Sequence, residues 1–208
     1  MSQYVQQFKQ HWAQFQQQYQ LDSQRAQQCY AQLAQAYLEP QRHYHTAQHI
    51  VECLDLFHQV KAQLSDPFAV ELAIWFHDVV YDPKASDNEA QSAVFMQQCC
   101  HDFVPVAVLE KIAAWIEATQ QHQPSMDTDL NFLLDIDLAI LASSPSRFSA
   151  YETQIQQEYH WVEAIVYKEK RAAVLRYFYA MQPLYQTAYF QEKYELQAKQ
   201  NLSLSLCK

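Results

Sequence analysis

Phe68-Ala-Val-Glu-Leu-Ala-Ile-Trp-Phe-His-Asp78 carries a single polar side chain, Glu71, before it closes on an adjacent histidine and aspartate. A segment that is apolar nearly all round has no face to give to water, so it predicts a central helix buried on every side. Ser65-Asp66-Pro67, immediately before it, reads as a capping side chain followed by proline at the first helical position. The run therefore predicts an α-helical core, and a helix that delivers His77 and Asp78 at its end.

Working outward, Tyr4, Val5, Phe8, Trp12, Phe15 and Tyr19 recur at helical spacing in a glutamine-rich stretch. A second helix is expected from a cap at Asp22 or Ser23 to about Leu38, ahead of Pro40. A third begins near Thr46, with Ile50, Cys53, Leu54, Phe57 and Val60 on one side. Beyond Asp78 a loop runs through Pro83, and helices are expected near 88–101, 105–119, 128–142, 147–160, 162–181 and 183–200. Strand signals are weak throughout. The expectation is an all-α chain, a helical bundle or orthogonal array, in one domain over 1–208 with no internal repeat.

Composition points the same way. The 208 residues include seven prolines and no glycine. Tight β-turns and phosphate loops need glycine and helices need it least, so a P-loop or a Gly-x-Gly-x-x-Gly fingerprint is excluded. A formal charge of −9 repels nucleic-acid polymers and acidic membranes. No apolar run is long enough to cross a bilayer, and the first residues are polar and amphipathic. Cys29, Cys53, Cys99, Cys100 and Cys207 are odd in number and lack Cys-x-x-Cys spacing, which fits reduced cytoplasmic thiols.

Three segments put metal-type ligands on apolar helical surfaces. In Arg42-His-Tyr-His-Thr-Ala-Gln-His49, His45 and His49 are four apart and would share a helix face, with His49 heading the stripe continued by Cys53. A histidine on such a face is ordinarily a satisfied core residue. His77-Asp78 ends the most apolar helix; the bland alternative is a histidine on the helix dipole and an aspartate in water. In Leu133-Leu-Asp-Ile-Asp-Leu-Ala-Ile-Leu141, Asp137 has Leu133, Leu134, Ile140 and Leu141 as its i±3 and i±4 neighbours, whereas Asp135 has a more mixed surround. Asp137 is thus the stronger candidate for a buried charge that needs a cation. Two imidazoles and two carboxylates suit Mn, Fe, Co, Ni or Zn better than Ca, and leave positions open for water and substrate.

The ordered set His…His-Asp…Asp resembles the HD superfamily of metal phosphohydrolases. More closely, residues 4–204 resemble the small bacterial family of predicted metal-dependent HD phosphohydrolases. The matching stretches are Arg42–Ile50, Trp75–Pro83, Asp87-Asn-Glu-Ala-Gln-Ser92, Phe132–Leu141 and Tyr185-Gln-Thr-Ala-Tyr-Phe190 with Asn201-Leu202. The resemblance implies a metal-site core at about 40–142 with helical additions at both ends, and a divalent transition metal on His49, His77, Asp78 and Asp137, with Mg conceivable at a second site. Distant relatives divide over the first histidine. In cyclic-nucleotide phosphodiesterases the equivalent of His45 donates a proton and that of His49 binds metal; in the general HD start the equivalent of His45 is itself the ligand. We favour His49 as ligand and His45 as general acid. His77-Asp-Val-Val-Tyr-Asp82 also resembles the loop of alarmone hydrolases, but Tyr81 stands where they carry a carboxylate. Asp82 is kept, and is expected to orient the attacking water.

Glu89 would steer a ligand histidine or a metal-bound water from behind, or else sit in the first turn of a helix. Lys168 and Arg171, with Lys170 and Arg176 beside them, form the one basic cluster and could meet phosphate or snorkel over apolar surface. Arg42 could clamp phosphate or pair with an internal carboxylate. The expected function is metal-dependent hydrolysis of a nucleotide or other small phosphorylated metabolite. Rival readings are a non-catalytic metal- or nucleotide-binding module and a di-iron oxygenase, which would draw further ligands from His101, His122 or His160. The aromatic-rich terminal helices suit either a homodimer interface or a core.

Overall fold

The computed structural model describes residues 3–21 and 24–207 together with the backbone of Ser23. The side-chain cap expected at Asp22 or Ser23 lies outside the described residues. Ten α-helices are described, and no strand occurs among the described residues. They are α1 (Gln3–Gln18), α2 (Ser23–Tyr37), α3 (Ala47–Val60), α4 (Pro67–Phe76), α5 (Asn88–Cys100), α6 (Val106–Ala118), α7 (Thr128–Asp137), α8 (Pro145–Glu158), α9 (Ala164–Ala180) and α10 (Ala188–Leu206). The chain is all-α. No described helix is long and apolar enough to cross a membrane. It divides into two compact units, residues through Leu133 and residues from Leu134 on. The division falls inside α7 and inside the stretch 40–142.

In the first unit α4 is the centre. Asp66 caps it, its Oδ1 accepting from Ala69 N at 3.1 Å, and Pro67 opens it. Every residue from Ala69 to Phe76 is buried. Trp75 is fully buried, with Phe8 and Trp12 of α1 set edge-on against it at 5.0 and 5.1 Å between ring centroids. Aromatic packing of this geometry adds about 0.5–1.5 kcal/mol per pair to the burial itself. Glu71, the one interruption in the run, is also buried, and takes a hydrogen bond from the Tyr19 hydroxyl (3.2 Å) and an ion pair from Lys61 (3.5 Å). The start of α7 is tied to the start of α4, because Asp129 accepts from the amides of Ser65 (3.0 Å) and Asp66 (2.6 Å).

In the second unit α10 packs against α9 and against a tight 3-10 segment, Leu138–Ala142. The single helix expected over 128–142 therefore tightens after Asp137. Asn201 of α10 donates to the carbonyls of Leu141 (2.9 Å) and Ser143 (2.8 Å), satisfying oxygens that a 3-10 end leaves without intrahelical partners. The last helix begins at Ala188 rather than near 183, and the reason is local. The amides of Leu184 and Tyr185 are taken by Glu195, and those of Gln186 and Thr187 by Asp135. Those N–H groups are bound outside any helical ladder. Ser144 and Pro145 start α8 two residues earlier than the periodicity indicated, with Ser144 Oγ accepting from Arg147 N.

Candidate metal centre

The structure delivers His49 and His77 from two helices that pack together. His49 sits in the first turn of α3, after the cap Thr46, whose hydroxyl accepts from Gln48 N at 3.3 Å. His77 follows the last residue of α4, its amide still bonded to Ala73 O at 2.9 Å. Both imidazoles are 2% exposed. His49 Nε2 and His77 Nε2 lie 3.1 Å apart, and Asp78 Oδ2 lies 3.3 Å from the first and 3.1 Å from the second. Ligand atoms on one ion with bonds of about 2.0–2.2 Å are separated by roughly 3.0–3.4 Å, from octahedral to tetrahedral geometry. The three atoms thus have the edge lengths of a coordination triangle. His49, His77 and Asp78 could hold a metal ion; Asp137 ends α7, in the second unit.

Tautomers and charge agree with that use. His77 Nδ1 lies 3.0 Å from the carbonyl of Ile74. A carbonyl only accepts, so Nδ1 carries the proton and Nε2 presents its lone pair to the cluster. His49 Nδ1 lies 3.1 Å from the Tyr44 hydroxyl, which can donate or accept and so serves either tautomer. Burial penalises the charge on Asp78, but the neighbouring His77 and His45 and the hydrogen bond from His49 outweigh it, holding the carboxyl well below the usual range. The carboxylate is therefore ready as a ligand without first losing a proton.

The remaining candidates fall elsewhere. His45 precedes the cap of α3, so it does not share a helix face with His49 as the spacing indicated. Its ring stacks on Tyr81 at 4.0 Å, and its charge is felt at Asp78. Asp82 is exposed; its Oδ1 accepts from Lys84 N at 2.9 Å, and its backbone is clasped by the Asn88 amide. Glu89 lies in the first turn of α5 and accepts from Gln120 at 3.3 Å. The structure joins neither carboxylate to the His/Asp group.

Of the two uses open to Arg42, the structure shows the internal one, an ion pair with Glu39. The arginine is 5% exposed, and four of its N–H bonds go to Glu39 (2.9 Å) and to the carbonyls of His45 (3.3 Å), Asp78 (2.7 Å) and Val79 (2.8 Å). It pins the backbone on both sides of the ligands. A cavity of about 590 Å³ beside it is lined by Glu39, Arg42, Val79, Tyr81, Asp82 and Phe95 among others. Arg171, in the second unit, is committed to Glu152 at 2.5 Å and lies over the Tyr151 ring. Lys168 shares with Arg171 and Arg176 a groove of about 630 Å³ between α8, α9 and α10.

The structure also corrects the reasoning about the two aspartates. Asp135 is the deeper, at 1% exposure, and Asp137 only half-buried. Asp135 needs no cation, because it accepts from the amides of Gln186 (2.7 Å) and Thr187 (2.8 Å) and from the Thr187 hydroxyl (2.6 Å). Burial pushes its carboxyl up to about 6 against the pull of those three donors. Tyr44 was not singled out by sequence; its adjacency to His45 was the only signal.

No protein-family model, no curated protein and no solved structure matches this chain.

Proposed function

We propose that this chain is a metal-dependent phosphohydrolase of the HD type, acting on a nucleotide or another small phosphorylated metabolite. One observation carries the reading: His49 Nε2, His77 Nε2 and Asp78 Oδ2 stand 3.1, 3.3 and 3.1 Å apart, in a chain that offers its ligands in the order His…His-Asp…Asp. His49, His77, Asp78 and Asp137 would hold the ion, Mn, Fe, Co, Ni or Zn by donor type. A divalent ion bound there lowers the pKa of water and offsets charge developing on phosphoryl oxygen. His45 is the proton donor to the leaving oxygen, held against Tyr81 within electrostatic reach of Asp78. Asp82 takes no step in this reading, since its carboxylate is turned to the Lys84 amide. With Arg42 occupied by backbone carbonyls, the substrate's charge falls mainly to the ion.

The test is a hydrolysis screen with metal-stripped protein, re-supplied with each divalent ion and given nucleotides and phosphate esters, with Asp137→Ala alongside. Metal-dependent phosphate release that disappears in Asp137→Ala supports the reading. Bound metal without turnover on any ester favours a binding module. A protein that binds no divalent ion overturns the proposal.

A further inference from the structure

Helices α2 and α5 bring together three of the five cysteines, none of which belongs to the His/Asp group. Cys29 of α2 is 2% exposed, and its thiol donates to the carbonyl of Cys99 at 3.3 Å. Cys99 donates to Gln32 Oε1 at 2.9 Å, and Gln32 lies one turn along α2 from Cys29. Cys100 is fully buried, whereas Cys99 is partly open to solvent. A buried cysteine usually behaves as a small apolar side chain. Here each of two thiols reaches the other's helix: Cys29 bonds the Cys99 carbonyl, and Cys99 bonds Gln32. Neighbours on a helix point about 100° apart, so Cys99 and Cys100 diverge and each meets Cys29 more readily than the other.

We propose that Cys29 and Cys99 form an oxidisable thiol pair, converted by hydrogen peroxide to a disulfide that ties α2 to α5. The Cys29 thiolate attacks the peroxide; an S–O bond forms, the O–O bond breaks, and hydroxide leaves and takes up a proton. The Cys99 thiol then attacks the Cys29 sulfur; the S–S bond forms, the S–O bond breaks, and water departs with the Cys99 proton. The two sulfurs together lose two electrons and one peroxide becomes two waters. Cys99, being the solvent-facing member, marks the route by which a small oxidant arrives. The neighbouring Cys100 and Cys99 draw the Cys29 thiol down against its burial, while the thiols of Cys99 and Cys100 are pushed up, which assigns the attacking role to Cys29.

The experiment treats the full-length chain, as Cys207→Ser to remove the exposed thiol, with hydrogen peroxide and measures intact mass. The expected result is a loss of about 2 Da, with a peptide joining Cys29 to Cys99 in a non-reducing digest. In Cys99→Ser the loss disappears and a sulfenic-acid trap labels Cys29. Peptide mapping of protein with all three thiols present keeps the proposal testable should either variant misfold. No mass loss overturns it, as does a disulfide that omits Cys29 or joins it to Cys100.

Discussion

His49 and His77 face each other Nε2 to Nε2 at 3.1 Å, both buried, with Asp78 closing the triangle. His77 cannot donate along that edge in its neutral form, because its one proton is held on Nδ1 by Ile74 O. The metal-free protein must therefore supply the proton from His49, and a bound cation removes the need for it. A ligand that binds only the folded state at a hundred times its Kd adds about 2.7 kcal/mol of stability. The wild type should show a metal-dependent rise in Tm that His77→Ala and Asp78→Asn lack; equal rises in all three would place the ion elsewhere.

Tyr44→Phe should weaken metal binding by about 10–100-fold, the usual cost of losing a partner that orients a ligand histidine. The hydroxyl lies 3.1 Å from His49 Nδ1, and phenylalanine keeps the ring packing while removing the hydroxyl. Titration with a competing chelator reads the affinity, and unchanged binding would reduce Tyr44 to packing.

Asp135 and Asp137 should separate cleanly. Asp135→Ala strands two amide N–H groups and a hydroxyl, at about 1–3 kcal/mol each if left buried, so denaturant unfolding should show a loss of roughly 3 kcal/mol. Metal content per folded chain should survive. Asp137→Ala should instead abolish metal uptake by the folded chain.

Arg42→Lys should lower stability by about 2 kcal/mol, because an ammonium cannot reproduce a fork that serves three carbonyls and Glu39. If instead Arg42 gripped substrate, the variant would raise KM and leave Tm unmoved.

Asp66 sets a pH-dependent contribution. Burial opposes its charge, but the Lys111 ion pair and the Ala69 amide prevail and depress its carboxyl. A depressed folded-state pKa means the contribution is complete above the unfolded value of about 3.9 and fades as pH falls through the folded value. Asp66→Ala should cost about 1 kcal/mol at neutral pH, the usual worth of such a cap, and the difference from wild type should shrink in acid. A constant difference down to low pH would remove the carboxylate from the account.

How much of this was legible without coordinates follows from the range of each interaction. The central helix was written in Phe68–Phe76 because exclusion of water acts on every residue of a continuous apolar run, and Asp66-Pro67 fixed its start through contacts within one turn. His49, His77 and Asp78 were readable for the same reason: each lies at the first or last turn of a strongly patterned helix. What local pattern could not decide was which polar groups meet across distance. Asp135, with a more mixed surround than Asp137, is nevertheless the deeper, because it finds its donors about fifty residues away in Gln186 and Thr187, and it was those amides that stopped the last helix from starting earlier. His45, four residues from His49, left the shared face because the chain does not become helical until Ala47. Arg42, open by sequence to either phosphate or an internal carboxylate, bonds Glu39 and two carbonyls beyond α4 that only the packed helices bring within reach of its fork. Periodicity reports which face of an element is dry. It carries no information on which buried donor will find which acceptor, since that pairing exists only once the helices have packed.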